Sequence, residues 1–244
     1  MDSQPAMQLL VGRHAVVTGA AGSIGRAITS VFRQHGAQVT ALDVRPADGI
    51  VPADVTDEAA LRDVVDGLAQ PTDIVHAAGA ILVGPLERTT VDEFRAAVES
   101  NLLSAFVVGR VAAGALRSGG TLTFVSSQAG FRGAANWGVY CAVKAGVLRL
   151  AEAFAQELGP RGIRVNTVCP GTVETPMTDV AVRSLSDLGK GSVEAVHSRY
   201  LSQIPLGRYA DPAEIGEVCA FLASRMASYL SGASIPIDGG EVSA

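Results

Sequence analysis

Short apolar runs alternate with helix-length amphipathic segments along the chain. His14–Thr18, Gln38–Leu42, Ile74–Ala77, Thr121–Val125, Ile163–Val168 and Ala233–Ile237 are nearly continuous in apolar or β-branched residues, the pattern of strands buried on both faces. Between them, Ser23–His35 reads as a helix closed by Gly36 as a C-cap. Asp57–Leu68 reads as a helix capped by Thr56 or Asp57, Val91–Arg117 as one long helical stretch, and Pro212–Ala223 as a late helix. In Val139–Leu158 the apolar positions Val143, Val147, Leu150, Phe154 and Leu158 recur at helical spacing, and Gly159–Pro160 stops the run. Strand–helix alternation of this kind predicts crossover units and an α/β fold, a parallel sheet covered by helices on both faces.

No Pro/Gly/Ser-rich hinge separates two self-sufficient halves, so residues 1–244 are expected to form a single domain. The polar segment Met177–Pro205, with Gly189 and Gly191, lies between a strand and a helix and is expected to be a mobile lid over a site.

Composition narrows the function. At 48% hydrophobic residues over 244 positions, the chain can bury a full core, which excludes a disordered tail or a fibre. The net charge is −5 and the 19 Lys and Arg are scattered singly, so no basic stripe exists to track a phosphate backbone and no nucleic-acid partner is expected. The most apolar stretch, Leu102–Leu116, is interrupted by Arg110 short of the roughly 20 residues of a membrane span. The start MDSQPAMQ lacks the features of a secretory signal, and a cytoplasmic protein without a membrane partner is expected. Cys141, Cys169 and Cys219 show no CxxC spacing and the four histidines no ligand spacing, so reduced thiols and no metal are expected.

The first strand runs into Thr18-Gly19-Ala20-Ala21-Gly22-Ser23-Ile24-Gly25 and then a helix. In that setting glycines let backbone approach a pyrophosphate at a helix N-terminus. Asp43 follows the second strand, where a carboxylate can accept hydrogen bonds from the adenosine ribose hydroxyls. It would repel a 2′-phosphate, and no Lys or Arg lies in Ala20–Ser23 to attract one, so NAD is expected rather than NADP. Arg45 is either a contrary influence on that choice or a solvated surface charge; Asp54 either meets the adenine edge or serves a turn.

Only 2 lysines occur, and one of them, Lys144, stands four residues after Tyr140. On a helix that spacing puts both side chains on one face. An ammonium favours the phenolate, so Lys144 is expected to lower the Tyr140 pKa and make the phenol a usable base. Its compact head can also donate to a ribose hydroxyl. Ser126 and Ser127 end a strand at the sheet's carboxyl edge, where a hydroxyl could hold a substrate oxygen beside the phenol.

Together with His76–Gly79 (HAAG), Asn101, the YCAVK run Tyr140–Lys144, Asn166, Cys169–Val173 (CPGTV) and Asp238-Gly239-Gly240, these residues resemble the short-chain dehydrogenase/reductase family from about Leu10 to Gly240. The resemblance implies a single-domain doubly wound Rossmann fold binding NAD, Tyr140 as acid/base, and Ser127 orienting the substrate oxygen. Lys144 would bind the nicotinamide ribose, and Asn101 would hold a proton-relaying water. It places the cofactor against Gly19, Ser23, Ile24, Gly25, Asp43, Asp54, Val55, Ala78, Gly79, Tyr140, Lys144, Pro170, Gly171, Val173 and Thr175. A homotetramer built through the long helices is likewise implied. Two departures stand out: Ser23 occupies the usual middle-glycine position, and HAAG replaces NNAG, giving His76 a buried structural role.

Ser127, Gln128, Trp137, Tyr140 and Thr172 are the expected substrate contacts, with Asn136, Val173 and Glu174 and the lid residues Met177, Arg183, His197 and Tyr200 as further candidates. Their mixed polar and aromatic character suits a polyol, sugar acid, hydroxy acid or cyclic diol. The leading expectation is an NAD-dependent dehydrogenase of a secondary alcohol on such a small molecule. A 3-oxoacyl-thioester reductase is the enzymatic alternative, mildly disfavoured by the scattered arginines, and a non-catalytic NAD(H) sensor is the alternative of another class.

Overall fold

In the computed structural model, which describes residues 8–241, β1 (His14–Thr18), β2 (Gln38–Asp43), β3 (Ile50–Pro52), β4 (Asp73–His76), β5 (Thr121–Val125), β6 (Arg164–Pro170) and β7 (Ser234–Ile237) form one sheet. Every pairing is parallel, in the order β3-β2-β1-β4-β5-β6-β7. Side-chain alternation divides the strand residues between two cores. Val16, Leu42, Ile74, Leu122, Phe124 and Val165 pack on one side against α2 (Glu58–Asp66), α4 (Ser104–Ala115) and α5 (Gly138–Leu158). Ala15, Val17, Ala41, Val75, Val125 and Val168 pack on the other against α1 (Ser23–Gln34) and α8 (Pro212–Ala223). Because both faces are covered, the middle of each central strand is apolar or β-branched, and the buried polar residues at the strand ends, such as His14, Asp73 and His76, are held by hydrogen bonds.

Four differences from the sequence reading have physical causes. β3 went unanticipated because it has only three residues, all at least partly exposed at the sheet edge. β2 extends through Asp43, so that carboxylate ends the strand instead of following it. The long stretch from Val91 is not one regular helix: α3 (Val91–Val98) passes through a π-helical turn at Glu99–Leu103 before α4 begins. Apolar spacing continues through the bulge, which hides it from a periodicity argument. Val91–Ala115 is long and apolar enough to span a membrane by composition, yet half of its most apolar window is packed inside this fold.

The segment expected as a lid is helical. It holds α6 (Pro176–Asp187), capped by Thr175, and α7 (Val193–Gln203), capped by Ser192. The two meet through Val182, Leu185 and Val196, with Trp137 and Tyr200 packed at their edge.

The chain leaves β1 towards β2 on one side, while β4 continues to β5 on the other. Adjacent parallel strands whose connections diverge leave a crevice at their carboxyl ends. The glycine-rich turn after β1 and the Ala77–Ala80 turn after β4 form its walls.

Candidate active site

The crevice is a cleft of about 720 Å³. Gly19, Ser23, Ile24, Gly25, Asp43, Asp54, Val55, Ala78, Gly79 and Thr175 all line it, as anticipated. Arg26, Arg45, Thr56, Glu99, Ser100 and Met177 line it too and were not anticipated as cofactor contacts. Arg26 and Ser100 follow from helix geometry, each being one residue beside a motif position, but nothing in their spacing marks them.

The two outer glycines of the turn are required by close approach. Gly19 has φ of +69°, and a Cβ there would lie 2.5 Å from the Ala78 nitrogen; at Gly25 a Cβ would overlap the Gly19 carbonyl. The turn leads into α1, whose N-cap, Gly22, offers no side-chain acceptor. In contrast, Asp57, Thr90, Thr175, Ser192 and Asp211 cap α2, α3, α6, α7 and α8 with their side chains. The first N–H groups of α1 therefore face the cleft without a capping side chain, at the positive end of the helix dipole, which suits a pyrophosphate.

At the end of β2, Asp43 is 6% exposed and accepts hydrogen bonds from the backbone N–H of Ala21 at 3.0 Å and of Arg45 at 2.9 Å. The Arg45 guanidinium also pairs with it at 3.2 Å. Burial works to raise the Asp43 pKa, but the Arg45 and Ala21 hydrogen bonds outweigh it and hold the carboxyl below its ordinary value. Arg45 is thus neither free in solvent nor a clear phosphate ligand: it is an ion-pair partner on the rim of the cleft. Asp54 accepts from the backbone and hydroxyl of Thr56 while lining the cleft, so it serves its turn and the wall together.

After β5 the two serines have different partners. Ser126 donates its hydroxyl to the Lys144 carbonyl at 2.9 Å, tying β5 to α5. Ser127 caps a short 3₁₀ turn, accepting from the Ala129 N–H at 3.1 Å, and its side chain acts to lower the pKa of the Tyr140 phenol. Lys144 lies one turn along α5 with its ammonium 5.6 Å over the Tyr140 ring and donates to the Val125 carbonyl at 3.4 Å. Trp137 tilts against Tyr140 at 5.8 Å between ring centroids.

The electrostatics correct one expectation. Burial pushes the Tyr140 phenol up to about 12, with the Ser127 side chain pulling against it, and Lys144 is not among the influences that move it. Burial likewise brings Lys144 down to about 8. Desolvation therefore sets the direction of both shifts, and the spacing of the pair alone could not reveal that.

Asn101 sits on the π-helical turn, a common feature of functional sites. Its amide donates to the carbonyls of Ala80 and Ala97, both at 3.0 Å, while its buried Oδ1 has no partner. A Cβ on Gly79 would lie 2.7 Å from that oxygen and 3.3 Å from the Lys144 ammonium, so Asn101 and Lys144 both close on Gly79 and leave no room for a side chain there. His76, 2% exposed, bridges Thr18 at 2.8 Å and Ser104 at 3.2 Å, fastening the end of β1 to the start of α4. Its structural role replaces the missing amides of the HAAG motif.

Of the expected cofactor contacts, Tyr140, Lys144, Pro170, Gly171 and Val173 do not line the cleft, nor does Thr172, although the Lys144 ammonium reaches its wall at Gly79. Gly171 packs against Asp238 and Gln128, Thr172 accepts from the Ala210 N–H, and Val173 is buried with its carbonyl taking the Thr178 hydroxyl. This tract braces the base of α6.

A family model described as enoyl-(acyl carrier protein) reductase matches residues 19–241. The protein belongs to the short-chain dehydrogenase/reductase family. A 3-oxoacyl-(acyl-carrier-protein) reductase of Thermotoga maritima is 35% identical, over 96% of this chain and 99% of its own. The trans-4-hydroxycyclohexanecarboxylate dehydrogenase of Sinomonas cyclohexanicum is 34% identical, over 93% of this chain and 92% of its own. The chain spans 45% of a longer short-chain type dehydrogenase/reductase of Sinorhizobium fredii, with 36% identity. Among solved structures, a candidate NAD(P)-dependent gluconate 5-dehydrogenase of Beutenbergia cavernae, with NADP bound at low occupancy, superposes with a TM-score of 0.83 at 29% identity, covering 99% of this chain and 100% of that one. The chain is an oxidoreductase of this family with a Rossmann-type fold.

Proposed function

We propose that the protein is an NAD-dependent dehydrogenase of a secondary alcohol on a small polar or cyclic molecule. The observation that carries this reading is the buried Tyr140 phenol, whose pKa the Ser127 side chain acts to lower, with the Lys144 ammonium 5.6 Å over its ring one helical turn away. The cleft fits a dinucleotide: the N–H groups at the start of α1 suit its pyrophosphate, and Asp43 suits the adenosine ribose hydroxyls. When bound, the nicotinamide supplies the redox chemistry by exchanging hydride with the substrate carbon.

The chain's own residues do the rest. Ser127 holds the substrate oxygen, and Tyr140 takes its proton during oxidation or returns it during reduction. Lys144 would hold a ribose hydroxyl of the cofactor, and its ammonium favours the phenolate over the phenol. Because burial holds the free phenol near 12, Tyr140 is built as a proton donor until a positive charge enters beside it. The unpartnered Oδ1 of Asn101, close to Gly79 as the Lys144 ammonium is, would hold a water that leads that proton onward.

An ionised Asp43 on the cleft wall favours NAD over NADP. Phe94, Leu103 and Phe106 leave apolar surface exposed along the long helices, which supports a homotetramer; light scattering at gel-filtration concentration would measure it. Nicotinamide absorbance during incubation with NAD and a panel of cyclic diols, polyols, hydroxy acids and sugar acids tests the activity. Turnover that vanishes in Tyr140→Phe supports the reading. The 3-oxoacyl reductase relative favours a second one, and turnover of a 3-oxoacyl thioester with no alcohol oxidised would put that reading first.

A further inference from the structure

Trp137 is the only tryptophan in the chain, and it touches both the reacting phenol and the α6–α7 helix pair. It is the N-cap of α5, three residues before Tyr140. Side chains on a helix lean towards its N-terminus, so Tyr140 lies over the turn that Trp137 begins. Their ring centroids are 5.8 Å apart with the planes at 59°, a tilted aromatic contact.

The backbone that carries the indole is held in an uncommon conformation. Asn136 has φ of +67°, one of two positive values among the described non-glycine residues, and such a turn persists only where its surroundings hold it. Here the Asn136 carbonyl takes the Gly84 N–H at 2.8 Å, the Trp137 N–H donates to the Ala134 carbonyl at 3.1 Å, and the Trp137 carbonyl takes the Cys141 N–H at 2.8 Å. Leu86 packs so closely on Gly138 that a Cβ there would lie 2.8 Å from its Cδ2. The loop after β4 thus clamps the start of α5.

The indole also packs in an apolar cluster separate from the two sheet cores, with Val182 and Leu185 of α6, Val196 of α7 and Val83 of the loop after β4. The helix pair is itself fastened to the rest of the fold. Below α6 the Glu174 N–H donates to the Ala210 carbonyl at 2.9 Å, and His197 of α7 hydrogen-bonds the Tyr209 hydroxyl at 2.8 Å. The start of α6 borders the cofactor cleft through Thr175, Pro176 and Met177. One large, rigid side chain with two torsions to fix therefore joins the helices beside the cleft to the phenol.

We propose that Trp137 is a positioning residue, the strut through which the α6–α7 pair holds the Tyr140 phenol in place for proton transfer. This differs from a substrate contact, which would act on substrate binding. The inference rests on the dehydrogenase reading above for its kinetic test and stands apart from it in its spectroscopic one.

The kinetic test compares the wild type, Trp137→Ala, Trp137→Phe, Val196→Ala and the Trp137→Ala/Val196→Ala double variant. Because small misplacements of a reacting group cost up to ~10²-fold, Trp137→Ala should lower kcat at least ~10-fold with KM and NADH affinity within about twofold, and the ring of Trp137→Phe should recover most of that loss. Val196→Ala, which touches no reacting group, should lower kcat at least ~3-fold when Trp137 is present and add nothing in Trp137→Ala, the non-additivity of residues that act through one another. If Trp137→Ala does not fold, Trp137→Leu, which keeps apolar bulk without a ring, takes its place. A raised KM with kcat intact in Trp137→Ala, or a Val196→Ala effect that is the same with and without Trp137, would overturn the inference.

The second test needs no substrate. The four tyrosines are replaced by 3-fluorotyrosine, and the ¹⁹F resonance of Tyr140 in the protein–NADH complex is assigned by its absence in Tyr140→Phe. Val196→Ala should move that resonance when Trp137 is present and leave it in place in Trp137→Ala. A Tyr140 resonance that ignores Val196→Ala, or moves equally in both backgrounds, sinks the strut. If no alcohol is oxidised although NADH binds, the dehydrogenase reading fails, and this spectrum decides the role of Trp137 alone.

Discussion

Asp43→Asn is the sharpest probe of cofactor choice, because it removes a charge while keeping an acceptor oxygen for one of the two backbone donors, Ala21 to Oδ2 and Arg45 to Oδ1. In the wild type, the carboxylate and the Arg45 guanidinium form a pair that is close to neutral at the cleft rim. The asparagine variant leaves Arg45 alone there, so a 2′-phosphate loses a repulsion and gains an unpaired cation. Two unit charges ~5 Å apart at an effective dielectric of ~20 interact by about 3 kcal/mol. Arg45 is 64% exposed, and salt screening at such a rim cuts the effect to about 1.5–3 kcal/mol. At 1.4 kcal/mol per tenfold, the ratio of NADPH to NADH affinity should rise ~10- to 100-fold. Fluorescence titration of wild type and variant with each reduced cofactor measures that ratio, and repeating it at high salt should shrink the change. A shift below ~3-fold, or a wild type that already prefers NADPH, would refute the electrostatic argument.

Tyr140→Phe should lower kcat by ~10²–10⁴, the usual contribution of a general acid–base group, while leaving NADH affinity within about twofold by fluorescence titration. Burial of neutral His76 brings its pKa down from 6.5 to about 3, aided by the nearby Lys144 charge. The unfolded chain therefore binds the extra proton below pH ~6.5, and stability is lost as pH falls through that value towards 3; urea unfolding should show about 2 kcal/mol lost at pH 5 from this group, a component absent in His76→Asn. Gly109→Ala should destabilise by about 1–3 kcal/mol in the same assay, because its new Cβ would overlap the Phe154 ring between α4 and α5.

How far the sequence reached depends on the range of each interaction. Strands such as His14–Thr18 and Thr121–Val125 were legible to the residue because burial on both faces favours a run of apolar and β-branched residues. β3 was invisible, as three exposed residues at a sheet edge carry neither run nor alternation. The π-helical turn at Asn101 was hidden for a different reason: its backbone shift is stabilised partly by the Ser100 hydroxyl on the Ala96 carbonyl, a local bond that leaves the apolar spacing unchanged.

The site divides along the same line. Tyr140 and Lys144 share a helix face by arithmetic, and Gly19 and Gly25 announce a close approach before any coordinate is known. The sign of the tyrosine's shift could not be read in that way, because it depends on how much water the fold removes, and desolvation acts on Tyr140 and Lys144 in opposite senses. Both shifts favour the uncharged pair, phenol and amine. Entry of a positively charged ring would reverse the balance at Tyr140 while further disfavouring the ammonium, unless a ribose hydroxyl held it. The lysine's hydrogen-bonding role is therefore a condition for its electrostatic one, so Lys144→Met should weaken NADH binding as well as slow turnover, whereas Tyr140→Phe should do only the second.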